Sequence, residues 1–145
     1  MAIKKVALLI PFLISANAWA GTMEHCPKIA DIKEVATASY IAPTVSGKGQ
    51  WYGTSQSGRG LVGGFEEAIF KAHGDAVEGA VVGELLHCGY ALRDGGKLDL
   101  RFKQEGTVVS IQSGGVWEQW YSQYYCEDKT EGACIFKELK RPSKG

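Results

Sequence analysis

The chain has 145 residues with 16 Lys and Arg against 16 Asp and Glu, 19 glycines and four cysteines. Balanced charge leaves no basic excess to neutralise phosphates, which argues against a nucleic-acid partner. The length suits one ordinary domain with a single core.

The first segment reads as an export signal. Lys4 and Lys5 form a positive start, Val6 to Ile14 an apolar stretch, and Ala18-Trp19-Ala20 a small-x-small cleavage site. Cleavage after Ala20 predicts residues 1–20 as signal peptide and 21–145 as a single secreted domain of 125 residues. Fourteen basic residues then face 16 acidic ones, a formal charge of −2. The apolar stretch is too short for a permanent span. Position 21 is Gly rather than Cys, so no lipid anchor is expected on the cleaved chain. The expected location is periplasmic or secreted. From residue 21 onward there is no Asn and hence no N-glycosylation acceptor, which leans towards a bacterial source.

Along the domain, Pro27 to Ala36 predicts a short helix, with Pro27 at its first turn and Ile29, Ile32 and Val35 or Ala36 on one face. Ala38 to Ala42 reads as extended until Pro43, and Gln50 to Thr54 as a strand. Phe65 to Ala72 has helix formers but can equally be a strand between glycines. Ala80 to Leu92 alternates as a half-buried strand. Asp94-Gly95-Gly96 turns it into Lys97 to Lys103, whose Leu98, Leu100 and Phe102 share one face, giving a clear hairpin. Val108 to Ile111 and Cys134 to Leu139 are further strands. Trp117, Trp120, Tyr121, Tyr124 and Tyr125 follow a helical stripe, yet the aromatic composition favours a strand from Gln119 to Cys126, pairing with Cys134 to Leu139, with a short aromatic helix as the alternative. The expected fold class is α+β, mainly antiparallel β-sheet with a short N-terminal helix, stabilised by disulfides.

Four cysteines in an exported chain imply two disulfides and allow three connectivities. Cys126 and Cys134 flank a polar segment that can reverse direction, so they are paired, leaving Cys26 with Cys88. The chain-entropy model gives roughly 2.5 kcal/mol for the short loop and about 4 kcal/mol for the long one.

The order of motifs resembles a family of small secreted proteins of Gram-negative bacteria classed as a domain of unknown function. The residues that carry it are Cys26-Pro27-x-Ile29, Trp51-x-Gly53, Phe65-x-x-Ala68, Cys88-x-Tyr90 before a glycine hairpin, Tyr125-Cys126 and Cys134-x-Phe136. The resemblance spans most of residues 26 to 138. It implies an exported, disulfide-bonded, β-rich domain and carries no established activity.

No set of residues announces a chemistry. Gly58-Arg59-Gly60-Leu61-Val62-Gly63 matches a dinucleotide-binding pattern, but the segment before it is too polar for a buried parallel strand and no second βαβ half exists. It reads as a glycine loop. There is no G-x-S-x-G elbow and no H-E-x-x-H. No catalytic, cofactor or metal residues are assigned, and the chain leans away from being an enzyme. Two alternatives remain: a hydrolase of envelope or host material using His73 as base with Asp75, and an extracytoplasmic metal binder using His25 and His87, each beside a cysteine.

The aromatic residues are the strongest functional signal. On a strand, Trp51-Tyr52, Trp120-Tyr121 and Tyr124-Tyr125 cannot both face inward. The leading expectation is therefore a non-catalytic binding or interaction module with a contact surface on Trp51, Trp117, Trp120 and Tyr121, meeting a protein or glycan partner.

Overall fold

The computed structural model describes residues 21–56, 60–104 and 106–140. The expected signal peptide, and Gly58 and Arg59 of the glycine loop, lie outside the described residues.

Among the described residues eleven strands follow one another: β1 (Gly21–His25), β2 (Lys33–Ala36), β3 (Ser39–Pro43), β4 (Gln50–Thr54), β5 (Val62–Ala72), β6 (Ala80–Leu92), β7 (Lys97–Phe102), β8 (Val109–Gln112), β9 (Trp117–Trp120), β10 (Gln123–Cys126) and β11 (Ile135–Leu139). All the strand ladders are antiparallel, and the sheet curls into a half-barrel. The long β6 is its hub. One edge carries β5, and β5 continues to β10 and β9. The other edge is divided: β8 pairs with Ala80–Gly83, and β7 with Cys88–Ala91. The sheet forks there. One wing runs from β7 through β4 and β3 to β2, the other from β8 through β11 to β1.

Period-two alternation explains the strands. In β7, Leu98, Leu100 and Phe102 are buried while Lys97, Asp99 and Arg101 are exposed. Phe65 to Ala72 resolves as strand, because Ala68 and Phe70 face the core and both edges are paired. The wings curl over a core that includes Tyr40, Trp51, Phe70, Tyr90, Leu98, Leu100 and Phe136. Phe102 links Trp51 and Phe136, with ring centroids 5.0 Å from each. Gly83 faces β5 so closely that a Cβ would lie 2.0 Å from the Lys71 carbonyl oxygen, and one on Gly53 would lie 2.1 Å from that of Asp99. Strand-forming side chains are excluded at both points by backbone.

Polar contacts tie the wings together. Glu24 on β1 is buried, and its carboxylate accepts backbone N–H bonds from Val45 and Ser46 in the β3–β4 turn. Lys103, just beyond β7, donates to both carboxylate oxygens of Glu138 on β11 at 2.7 and 3.0 Å. The disulfides join Cys26 to Cys88 and Cys126 to Cys134.

Two expectations need correction. The α+β class with an N-terminal helix is replaced by an almost wholly antiparallel β fold. Between Pro27 and Ala36 the helical element is one 3-10 turn, Ile29–Asp31, flanked by extended Lys28 and Ile32 without a side-chain cap. The disulfide fixes Cys26, and the Tyr90 hydroxyl bonds the Pro27 carbonyl. The few residues left cannot offset helix nucleation, while β2 gains a ladder with β3. Val35 is consequently exposed.

The continuous strand expected from Gln119 to Cys126 is also wrong. The chain turns at Tyr121-Ser122, so β9 and β10 form their own hairpin. β10 pairs with β9 and β5, and β11 with β8 and β1. The turn shifts strand parity, which produces the helical stripe without a helix: Trp117 and Tyr124 face inward, and Trp120 outward.

Candidate functional site

The four expected contact residues divide evenly. Trp51 and Trp117 are in the core, at 0% and 3% exposure, whereas Trp120 and Tyr121 are 61% and 80% exposed. The Trp117 indole donates to the Ile135 carbonyl at 2.9 Å. The Trp51 indole nitrogen is buried among rings and has no hydrogen-bond partner among the described residues. These two tryptophans hold the fold, and the outward pair forms a separate feature at the β9–β10 tip.

That tip is ordered by local geometry. Trp120 pairs with Gln123, leaving Tyr121 and Ser122 as the two turn residues. The Ala72 N–H donates to the Ser122 carbonyl at 2.8 Å, docking the tip onto the end of β5. The Trp120 ring centroid lies 5.1 Å from that of Tyr121 and 6.1 Å from that of Tyr125, both tilted at 63°. The Tyr125 hydroxyl donates to Gln123 Oε1 at 2.7 Å, and Gln119 Nε2 donates to the Tyr121 carbonyl at 3.2 Å. The sequence pattern does not single out Tyr125 for this surface. Its position is legible only once the turn at Tyr121-Ser122 places it opposite Glu118, on the same face as Trp120.

Tyr121 has φ +58°. The first position of a two-residue hairpin loop with positive φ favours glycine, because a side chain there is strained. Eight described glycines already occupy positive φ in this chain. A large aromatic side chain held in that conformation, and mostly in water, gives little back to the fold.

A cleft of about 70 Å³ opens on the same outer side of the sheet, beside the fork. Tyr52, Glu84, Leu86, Arg101, Gln104 and Thr107 are among its walls. Tyr52 on β4 is the register partner of Arg101 on β7. The ladder also carries Glu84 to Lys71, Lys71 to Gln123 and Gln123 to Trp120, so cleft and aromatic tip stand three strands apart on one row.

The remaining expected residues do not assemble a reactive centre. His73 Nε2 lies 3.1 Å from Glu84 Oε2, so the carboxylate beside this imidazole is Glu84 rather than Asp75. Ser55 is buried and donates to the Lys97 carbonyl, and the Ser113 hydroxyl donates to that of Gly79. His25 Nδ1 is 2.8 Å from its neighbour's carbonyl, and His87 Nε2 is 3.7 Å from Asp99. Cys26 and Cys88 are joined to each other. Among the described residues no group of three or more His, Cys, Asp and Glu is arranged to hold a metal ion. Burial raises the Tyr90 pKa far above the ordinary phenol range, with the Glu131 carboxylate adding to the effect. That phenol is a structural donor to Pro27.

The family model described as a protein of unknown function, DUF3757, matches residues 21–137. No curated protein and no solved structure matches the chain.

Proposed function

Starting from a chain that belongs to the DUF3757 family of proteins of unknown function, we propose that it is a non-catalytic binding module whose contact surface is the β9–β10 tip. One observation carries this reading: Trp120 and Tyr121 stand together in solvent, and Tyr121 does so in a backbone conformation that favours glycine. Exposed aromatic residues on a rigid hairpin provide large contact area at low cost in side-chain entropy. Tyr125 and Gln123 border the pair and extend the surface onto the sheet.

Two disulfides, and the lack of any helix among the described residues long and apolar enough to cross a membrane, are compatible with an extracytoplasmic protein. The finer reading, a periplasmic or secreted domain released by cleavage after Ala20, rests on the sequence of residues 1–20.

The surface takes a protein or a glycan, and one pair of assays decides between them. A photo-crosslinking side chain at Ser122 in the producing cells reports a protein partner as a discrete adduct. Co-sedimentation with purified cell-wall polymer reports a glycan. In whichever assay responds, Trp120→Ala and Tyr121→Ala should abolish the signal while leaving the circular dichroism spectrum unchanged. No signal in either assay, or a signal that both variants retain, overturns the reading.

A further inference from the structure

The cleft beside the fork lies three strands from the aromatic tip. Arg101 and Glu84 line the same space of about 70 Å³ from neighbouring strands β7 and β6. Opposite charges on neighbouring strands can pair across a sheet. Among the described residues these two make no ion pair with each other: Glu84 meets His73, and the Arg101 guanidinium has no hydrogen-bond or ion-pair partner. Glu84 uses one oxygen towards His73, and its other oxygen has no protein partner among the described residues.

The rest of the lining is chemically mixed. Tyr52, 43% exposed, supplies an aromatic wall next to Arg101, and Leu86 an apolar patch. Gln104 contributes an amide, and the Thr107 hydroxyl is held by donating to the Gln104 carbonyl at 2.7 Å. A cation and a carboxylate that border one small space without neutralising each other are complementary to a molecule carrying both opposite charges.

We propose that this cleft binds a small zwitterion of the α-amino acid class. The ligand carboxylate meets the Arg101 guanidinium, whose planar fork suits two parallel hydrogen bonds. The ligand ammonium meets Glu84, and a short side chain packs against Tyr52 and Leu86. A cleft of about 70 Å³ suits compact members of the class, such as glycine and alanine.

The test is calorimetric titration of the full disulfide-bonded chain with glycine and alanine, with acetate and methylammonium as single-charge probes. Amide chemical shifts around Arg101 and Thr107 locate the response. The zwitterions should saturate, and the single-charge probes should bind at least about tenfold more weakly. Arg101→Ala and Glu84→Gln should each weaken binding by about tenfold or more, with Arg101→Lys intermediate because an ammonium cannot form the paired bonds. Trp120→Ala should bind as the parent does, which separates failure of this site from failure of the aromatic surface. Lack of saturation by either amino acid up to roughly 10 mM overturns the proposal. So does acetate binding as tightly as glycine, or binding unaffected by the Arg101 and Glu84 substitutions in variants whose amide spectra show an intact fold.

Discussion

Glu24 Oε1 accepts the backbone N–H of Val45 at 2.8 Å, joining the strand at one outer edge of the fork to the turn of the opposite wing. Its second oxygen takes the Ser46 N–H at 3.2 Å. A carboxylate this buried is retained because backbone donors replace its water. Glu24→Ala should lower stability by about 1.5–3 kcal/mol, and Glu24→Gln, which keeps a neutral acceptor, by about 1 kcal/mol. Urea denaturation checks both values. Equal stability of all three proteins would show that the wings do not depend on this contact.

The aromatic tip gives the opposite sign. Tyr121→Gly relieves a positive-φ side chain that is mostly in solvent. It should stabilise the fold by up to about 1 kcal/mol, while partner binding is lost. Trp117→Ala should instead cost about 3–5 kcal/mol, because that ring is in the core. Thermal melts of the two variants distinguish a contact residue from a packing residue within one hairpin.

Two glycines in β6 should respond differently to the same methyl group. A Cβ at Gly83 meets the Lys71 backbone oxygen at 2.0 Å, whereas one at Gly89 meets the Glu67 side chain at 2.1 Å. Backbone cannot retreat without breaking the β5–β6 ladder, but a carboxylate can rotate. Gly83→Ala should therefore cost at least about 1–3 kcal/mol and Gly89→Ala clearly less, measured by denaturant midpoint at constant m-value.

Tyr90 predicts an alkaline transition. Its folded-state pKa is raised, mainly by burial and then by Glu131, so folding favours the neutral phenol. The associated stability is complete below the unfolded-state phenol pKa of about 10 and declines as pH rises above it, towards the folded-state value. Tyr90→Phe should be less stable than the parent at neutral pH, having lost the bond to Pro27, and should show a shallower fall in stability above pH about 10. Absorbance at alkaline pH should show Tyr90 ionising only with unfolding. Ionisation of every tyrosine in one step with the fold intact would contradict this.

The disulfides should be unequal. They close sequence separations of 62 and 8 residues. Replacing Cys26 and Cys88 by Ser should cost about 4 kcal/mol, and replacing Cys126 and Cys134 roughly 2.5 kcal/mol. Denaturant curves of the two double variants give the comparison directly.

Local alternation makes much of this architecture legible in the sequence. Gln50–Thr54 and Ala80–Leu92 carry their strand limits in sequence, and the Asp94-Gly95-Gly96 turn sets the β6–β7 hairpin. The cysteine pairing followed from one polar reversing segment. What failed was non-local. Whether Ile29, Ile32 and Val35 form a helix stripe or lead into an edge strand depends on β3 being available to pair. Whether Trp117 and Tyr124 share a face depends on where a two-residue turn interrupts parity. The contact surface was legible as an excess of aromatic residues, but its membership was not, since Trp51 and Trp120 differ only in what the sheet places over them. The cleft joins Tyr52, Glu84 and Arg101 from three strands, and no short motif contains all three.

The pairing of β1 with β11, from Gly21 opposite Leu139 to His25 opposite Ile135, also sets an order of events. A chain that emerges from its N-terminus produces its first strand long before that strand's ladder partner exists. Cys88 emerges much earlier than β11, so oxidation of Cys26 can tether the leading segment to the middle of the sheet in the interval. A long disulfide formed in that interval would act as a mooring, holding β1 within reach until β11 arrives to receive it.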